Sequence, residues 1–332
     1  MHNMALVTGG CGFIGQHLVR ALIDRGWAVR VLDISAAPGS LGDKVELFTG
    51  SILDRDLLSQ SMHGVSEVYH MAAISHLWAL NTTDYEKVNL WGTQNVLETA
   101  REAALNRFVY TSSETVLRGW RNQLQTPIDE SQPLPRPEDL PGPYSRSKLM
   151  AELKVREAIE NGLPGLVVYP TVPIGAGDTN MTPPTRMIRD FLNGKNPAYL
   201  ECNLNLIPVQ AVAEGHILAA EKGKVGGRYI LGQDNFKLSE LLLLLEQLSG
   251  KKMPKRQVGY RTALMTAKAM EISATISGKI PAASVEGVRL AGTSFTFDCS
   301  SAKKDLGLPQ TSIRQALHQT IKWLLQMDLV SY

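Results

Sequence analysis

Tyr144 and Lys148 stand four residues apart in "PYSRSKLMAE", a spacing that puts both side chains on one face of a helix. A free tyrosine, with a pKa of about 10, is a poor base at neutral pH, but a neighbouring ammonium favours the phenolate. Tyr144 is therefore a candidate general acid/base, with Lys148 as its partner. The third member of such a set would be a hydroxyl at the end of the preceding strand. In "RFVYTSSETV" Ser113 could bond a substrate oxygen, while Ser112 points elsewhere. A second constellation lies in "MALVTGGCGFIG", where Gly9, Gly12 and Gly15 separate an apolar run from a helix pattern. Gly9 permits a tight turn, Gly12 lets backbone N–H groups approach a pyrophosphate, and Gly15 allows close packing of helix on strand. The helix starting near Phe13 then aims its positive end at the phosphates. The following strand ends in Asp33, where an acid would take the adenosine ribose hydroxyls. A carboxylate there accepts from a 2′-OH and repels a 2′-phosphate, so NAD is expected over NADP. The competing reading is that Asp33 merely ends a strand and Arg30 reaches round.

These groups need a scaffold that gathers strand ends. Short apolar runs alternate with amphipathic ones: Met4 to Val7, a helix from Phe13 to Asp24, Ala28 to Asp33, Val45 to Thr49, and a helix from about Asp54 to Met62. The rhythm continues through "SEVYHMA", a long helix near Tyr85 to Ala104, "RFVYTSS", a helix from about Tyr144 to Asn161 and a strand near Gly165 to Tyr169. The proline-rich stretch from Gln123 to Pro143 reads as a loop. The pattern predicts an α/β fold, a Rossmann-type doubly wound parallel sheet with a smaller C-terminal substrate-binding lobe. Residues 1–170 would form the NAD-binding domain, its sheet completed by later segments, and 171–332 mainly the substrate lobe, interleaved with it.

Composition narrows the functional classes. The 332 residues carry a formal charge of +2 with no like-charge block, which argues against a nucleic-acid partner. Cys11, Cys202 and Cys299 show neither a disulfide framework nor a zinc spacing, and His70, His76 and His216 show no metal spacing, so no metal is expected. Neither a secretory signal nor an apolar run long enough to span a membrane is visible, and the expected location is cytoplasmic. The run Leu241 to Leu245, between Glu240 and Glu246, reads as a core-facing helix.

The chain resembles the extended short-chain dehydrogenase/reductases over essentially its full length. The resemblance rests on "TGGCGFIG", Asp33, "VYHMAA", "VYTSSETV", "YSRSK" and "CSSAKKDLGLPQTSIRQALHQTIKW". Finer similarity is to the branch holding dihydroflavonol 4-reductases, 3β-hydroxysteroid dehydrogenases and hopanoid-associated sugar epimerases. The phrases "HLWALN" and "VAEGHILAAEKGKVGGRYILG" are similar to the last group. The resemblance implies Ser113, Tyr144 and Lys148 as the catalytic set. It places Gly9, Gly12, Phe13, Ile14, Gly15, Asp33, Ser51 and Ile52 on the adenosine and phosphate side of the cofactor, and Ala72 and Ala73 alongside it. Thr111, Pro170 and Val172 would lie near the nicotinamide, with Tyr144 and Lys148. Ser75, Glu114, Thr171 and Met181 are candidates to face a small-molecule substrate. Two departures stand out: Ser51 replaces an acid that reads adenine, and Tyr169 replaces an arginine of many sugar-nucleotide members.

The expected reaction moves hydride between nicotinamide C4 and a secondary alcohol or ketone, with Tyr144 handling the proton. The alternative is an epimerase that retains its NAD. Dehydration is disfavoured because Glu114-Thr115 supplies only half of the acid pair it requires. A non-catalytic NAD(H)-sensing scaffold is disfavoured because the tyrosine and lysine are both present. Tyr169 and an apolar substrate lobe favour the dehydrogenase or reductase. In that lobe Leu264, Met265, Met270, Ile272 and Ile276 could line a pocket or close a core, and Trp78 and Trp120 carry the same ambiguity. Leu90, Val96, Leu97, Leu149 and Leu153 fit a homodimer face built from the two long helices.

Overall fold

Alternating apolar and amphipathic segments become strands and helices in the expected order in the computed structural model, which describes residues 3–36, 41–119 and 127–330. Trp120 and the first residues of the proline-rich loop lie outside the described residues. The first half runs β1 (Met4–Thr8), α1 (Phe13–Asp24), β2 (Ala28–Asp33), β3 (Glu46–Thr49), α2 (Arg55–Met62) and β4 (Glu67–His70). It continues through α3 (Thr83–Tyr85), α4 (Thr93–Glu102), β5 (Arg107–Thr111), α5 (Pro143–Glu160) and β6 (Gly165–Pro170). The second half adds β7 (Val172–Ile174), α6 (Pro183–Leu192), β8 (Ala198–Tyr199), β9 (Asn203–Pro208), α7 (Val209–Lys222) and β10 (Arg228–Leu231). It ends with β11 (Asp234–Lys237), α8 (Leu238–Ser249), β12 (Arg256–Gln257), α9 (Tyr260–Ser277), α10 (Val285–Thr293) and α11 (Ile313–Gln326).

Seven strands form the main sheet in the order β10-β6-β5-β4-β1-β2-β3, every pairing parallel. The late strand β10 closes one edge of a sheet otherwise built from the first half of the chain. Strand order reverses at β1, between β2 and β4, which opens a crevice at the carboxyl ends of these strands. Both faces of the sheet are covered, which is why the strands read as continuous apolar runs. Within β1, Ala5 and Val7 pack with Leu18 and Val19 of α1 and Val212 of α7, while Leu6 turns to the opposite layer with Val96 and Leu149. A third cluster joins Leu241, Leu242 and Leu245 of α8 to Leu317 and Leu324 of α11, so the leucine run does face a core.

The expected helix from Tyr85 to Ala104 is one helical run whose middle, Glu86–Gly92, is π-helical. Gly92 sits where a Cβ would lie 2.5 Å from Ile52 Cδ1, so the run approaches the β3–α2 loop closely. The expected dimer face needs correction. Leu90, Val96, Leu97 and Leu149 are buried within the protomer, because the apolar stripe of each long helix is used against the sheet. Trp91, Met150 and Leu153 are the large apolar side chains that reach outward from these helices. Among the described residues no helix is long and apolar enough to cross a membrane.

Candidate active site

The glycine loop is shaped by contacts that exclude a side chain. Gly9 adopts φ +73°, and a Cβ there would stand 2.8 Å from the Ala72 amide nitrogen. Gly15 is tighter still, since its Cβ would meet the Gly9 carbonyl oxygen at 2.2 Å. Gly12 needs its openness for a different reason: it begins α1, which has no side-chain cap and no acid in its first turn. Its amides therefore face the crevice without an internal competitor for phosphate oxygens. Asp33 turns back to the loop, accepting the Cys11 N–H at 2.9 Å and the Ser35 N–H at 2.9 Å. The Cys11 thiol, pushed up to about 12 by burial and by Asp33, stays protonated and inert. Arg30 is committed away from Asp33, to Glu46 at 2.6 Å and to the carbonyls of Ser61 and His63. These features fit a dinucleotide: a bare loop, an uncapped helix start and a carboxylate at the end of the second strand.

A chain of buried hydrogen bonds fixes the strand ends next to this loop. Thr93 Oγ1 donates to the Asn89 carbonyl at 2.6 Å, so it accepts from His70 Nε2 at 2.9 Å. His70 Nδ1 is then the acceptor for the Thr8 hydroxyl at 2.7 Å. Thr8 Oγ1 in turn accepts the N–H groups of Met71 and Ala72, at 3.2 and 3.3 Å. Burial, aided by Lys148, pulls His70 down to about 3, so the ring stays neutral and the polarity of the chain is set. Asn89, projected inward by the π-helical turn, holds the Ile74 N–H at 2.8 Å and donates to Ser147 Oγ at 2.9 Å. It thereby ties the β4 loop, with Ala72 and Ala73, to α5. His216 plays a matching structural part: Nδ1 donates to the Val212 carbonyl at 2.8 Å, and Nε2 accepts from Thr111 Oγ1 at 2.9 Å.

Tyr144, Ser113 and Lys148 come together at the carboxyl end of β5. The Ser113 hydroxyl lies next to the Tyr144 phenol, and Ser113 Oγ accepts the Thr115 hydroxyl at 3.0 Å. Lys148 Nζ donates to the Thr111 carbonyl at 2.7 Å and lies 4.5 Å from the centre of the Tyr110 ring. The expectation that the ammonium lowers the tyrosine does not describe this arrangement. Tyr144 is pushed up to about 12 by burial, with Glu286 and Glu114 adding to the rise and the Ser113 hydroxyl opposing it. Lys148 itself is pulled down to about 7 by burial, which weakens its field, while Glu152 works the other way. At neutral pH Tyr144 is a protonated phenol, suited to give a proton.

Two neighbours of Tyr144 were not visible in the sequence. Glu286, on α10, caps the start of α5: its carboxylate accepts the Tyr144 N–H at 3.1 Å, the Ser145 N–H at 2.8 Å and the Ser145 hydroxyl at 2.6 Å. The residue at the N-cap position is Gly142, and a Cβ there would stand 2.4 Å from the Glu286 carboxylate. A helix whose own N-cap is a glycine with no capping side chain was the one local hint that a distant acid supplies the cap. Tyr85 packs its ring edge-on to Tyr144 at 6.3 Å and donates to the His76 carbonyl at 2.7 Å. Through His76 it joins the site to a cleft lined by Leu77, Trp78, Arg186, Met187 and Ile280.

Two expected substrate residues, Glu114 and Thr171, are committed to internal contacts. Glu114 is buried in an ion pair with Arg118, which itself stacks on Phe297, so its carboxylate does not open to the cleft. The Thr171 hydroxyl is used internally, donating at 3.0 Å to Asn205 Oδ1 at the junction of the two larger sheets. Ser51 Oγ accepts the Leu53 N–H at 3.2 Å, an inward turn, and Ile52 packs under Gly92. Pro170 ends β6 and Val172 begins β7, so both flank that junction. Met181 adopts φ +50° in the loop before α6, and Ser75 is exposed after β4. Tyr169 is fully buried and donates at 2.6 Å to Glu152, which also accepts from Ser112 at 2.6 Å. Its ring lies between sheet and α5, so the residue says nothing about the substrate. On α9, Met265, Ile272 and Ile276 are 72%, 64% and 84% exposed and line neither pocket nor core, whereas Leu264 and Met270 are half-buried.

Residues 5–232 match the model of the NAD dependent epimerase/dehydratase family. The chain is 37% identical over 329 residues to a putative dihydroflavonol 4-reductase of Synechocystis sp., covering 97% of this chain and 95% of that protein. It is 28% identical over 339 residues to sterol demethylase protein B of Methylococcus capsulatus, covering 98% and 99%. The crystal structure of gox2253 superposes with a TM-score of 0.85 at 33% identity, covering 99% of this chain and 100% of that one.

Proposed function

The chain belongs to the NAD-dependent epimerase/dehydratase family, and from that membership we propose that it is an oxidoreductase that interconverts an apolar secondary alcohol and its ketone. The observation that carries the reading is the meeting of Tyr144 and Lys148, on one face of α5, with Ser113 at the end of β5, at the same strand ends as the glycine loop. The cofactor would lie along Gly9, Gly12 and Gly15, with Asp33 at the adenosine ribose and Ala72, Ala73 and Thr111 further along. Bound there, the nicotinamide supplies or accepts the hydride. Ser113 orients the substrate oxygen by hydrogen bonding, and Tyr144 gives it a proton on reduction or takes one on oxidation. Lys148 stays beside Tyr110 and the Thr111 carbonyl, within reach of the nicotinamide side. Tyr85, edge-on to Tyr144 at 6.3 Å, would form part of the wall beside the reacting oxygen.

NAD is preferred to NADP in this reading, supported by Asp33 and by the commitment of Arg30 to Glu46. The apolar character of the substrate is supported by Leu77, Trp78, Met187 and Ile280 around the cleft, and by the sterol named in one relative. The division into a cofactor domain, 1–170, and a substrate lobe, 171–332, belongs to the same proposal. So does a homodimer through the outward side chains Trp91, Met150 and Leu153. A cytoplasmic location is supported by three cysteines that are all free.

The test is the nicotinamide content of the purified protein, followed by titration of the emptied protein with NAD and NADP and by turnover of Tyr144→Phe. Reversible NAD binding, with turnover lost in Tyr144→Phe, supports the dehydrogenase or reductase. A second reading, that of an epimerase, is supported by the family's own description. Near-stoichiometric NAD surviving purification would favour it.

A further inference from the structure

Helix α9 carries an apolar face that nothing among the described residues covers. Its inner side is satisfied, with Ala267 and Ala274 buried against the lobe. Its outer crest is formed by Met265, Ile272 and Ile276, spaced seven and four residues apart, with the small Ala269 between them on the same line. Ile280, just past the helix, extends this surface at 55% exposure. Large aliphatic side chains at the outermost line of a helix, where a water-facing helix carries charge, mark a contact surface.

The surroundings of the crest are basic. Arg261 and Lys268 flank it on one side at helical spacing, and Lys279 follows the helix. Residues 251–279 hold seven lysines and arginines, of which Lys252 pairs with Glu246 at 2.7 Å, against one acid, Glu271, whose carboxylate accepts the Val285 N–H at 2.8 Å. The whole chain has a formal charge of only +2, so positive charge is concentrated here and the remainder is net acidic.

We infer that the outer face of α9, with Ile280, is a docking surface for an anionic lipid bilayer. The crest is convex, so it offers no groove for a partner helix, whereas a yielding lipid interface accepts inserted Met and Ile side chains and draws in the flanking cations. Two copies meeting face to face would bring Arg261, Lys268 and Lys279 of each against like charges. The surface also adjoins the candidate cleft, since Ile280, Pro281 and Ala282 are consecutive lining residues. An apolar alcohol or ketone dissolved in the bilayer would then enter the cleft at the membrane surface. This delivery role rests on the proposed function; the docking itself does not.

The experiment is flotation of the full chain with vesicles of phosphatidylcholine containing about one third phosphatidylglycerol, against phosphatidylcholine alone. The expected result is flotation with the anionic vesicles that falls as salt is raised. Ile272→Glu with Ile276→Glu should weaken it by about tenfold or more at unchanged thermal midpoint. Turnover of a water-soluble secondary alcohol without vesicles should be the same in variant and parent. Equal flotation of variant and parent, or none by either, overturns the inference. So does a fall in molecular mass by light scattering in the variant, which would make the face a contact between copies. Absent turnover in both proteins with vesicle binding intact would overturn the oxidoreductase reading and leave the docking surface standing.

Discussion

Glu286 acts on Tyr144 from 142 positions along the chain, and its replacement separates positioning from mere stability. One carboxylate oxygen takes both bonds from Ser145, at 2.8 and 2.6 Å, and the other takes the Tyr144 N–H at 3.1 Å. In Glu286→Gln the amide oxygen can keep the Ser145 pair, while the amide NH2 faces the Tyr144 N–H and cannot accept from it. One helix-terminal donor is then left buried without a partner, at about 1–3 kcal/mol. Glu286→Ala strands all three donors, and about 3 kcal/mol or more of stability goes with them. A displaced first turn of α5 moves the phenol itself, and a shift on the order of 1 Å in a reacting group lowers turnover by about a hundredfold. Removing the charge has a separate signature. Glu286 helps hold Tyr144 up at about 12, after burial and alongside Glu114, so its neutralisation lowers the phenol pKa. Reduction needs the protonated phenol, and its rate is flat below that pKa and falls above it. The alkaline limb of kcat/KM for reduction should therefore move to lower pH in Glu286→Gln, with kcat down about tenfold and NAD affinity unchanged. The assay is pH-dependent steady-state reduction beside direct NAD titration. A Glu286→Gln protein with parental kcat and an unshifted limb would refute the positioning role, whatever its melting temperature.

Other residues yield sharper, simpler outcomes. Tyr144→Phe should lose about a thousandfold or more in turnover while binding NAD as the parent does, measured by turnover and titration. Gly15→Ala places a Cβ 2.2 Å from the Gly9 carbonyl oxygen. It should abolish cofactor binding and lower the thermal midpoint, whereas Gly26→Ala, which meets nothing within 4 Å, is strained only by its φ of +78° and should retain binding. Asp33→Asn should weaken NAD by about tenfold and narrow its preference over NADP, read by parallel titrations. Tyr169→Phe takes one of two hydroxyl donors from the buried Glu152 carboxylate, leaving it the Ser112 bond, and should cost about 1–3 kcal/mol in denaturant unfolding with no change in substrate KM. A raised KM there would return Tyr169 to the substrate.

Whether a residue was legible in the sequence followed from how local its constraint is. Gly9, Gly15, Asp33, Tyr144 and Lys148 could be read because a turn, a strand end or one helix turn fixes their relation, and Ser113 because it closes the strand that feeds them. Glu286, Asn89 and the His70 chain could not, since each bond joins segments whose proximity exists only once the sheet is wound. Tyr169 was misread for a related reason. Strand parity sends Val168 to the layer of α1 and Tyr169 to the layer of α5, and a departure from a family's usual residue carries no substrate meaning in a side chain that never reaches the cleft.

The apolar helices were read wrongly in the same way, and the physics is general. Periodicity states that a helix face is apolar, but not what lies opposite. On the two long helical runs Leu90, Val96, Leu97 and Leu149 of the face taken for a dimer contact are buried within the protomer, leaving Leu153 outside with Trp91 and Met150. On α9 Met265, Ile272 and Ile276 point to water while Leu264 and Met270 are half-buried, and the fully buried positions Ala267 and Ala274 are too small to register as the inner face. Small residues let a helix pack closely and mark the inside by what they lack. An apolar line opposite two buried alanines, bordered by Arg261 and Lys268, is therefore evidence for a partner outside the chain, and vesicles of the right charge are where that partner should first be sought.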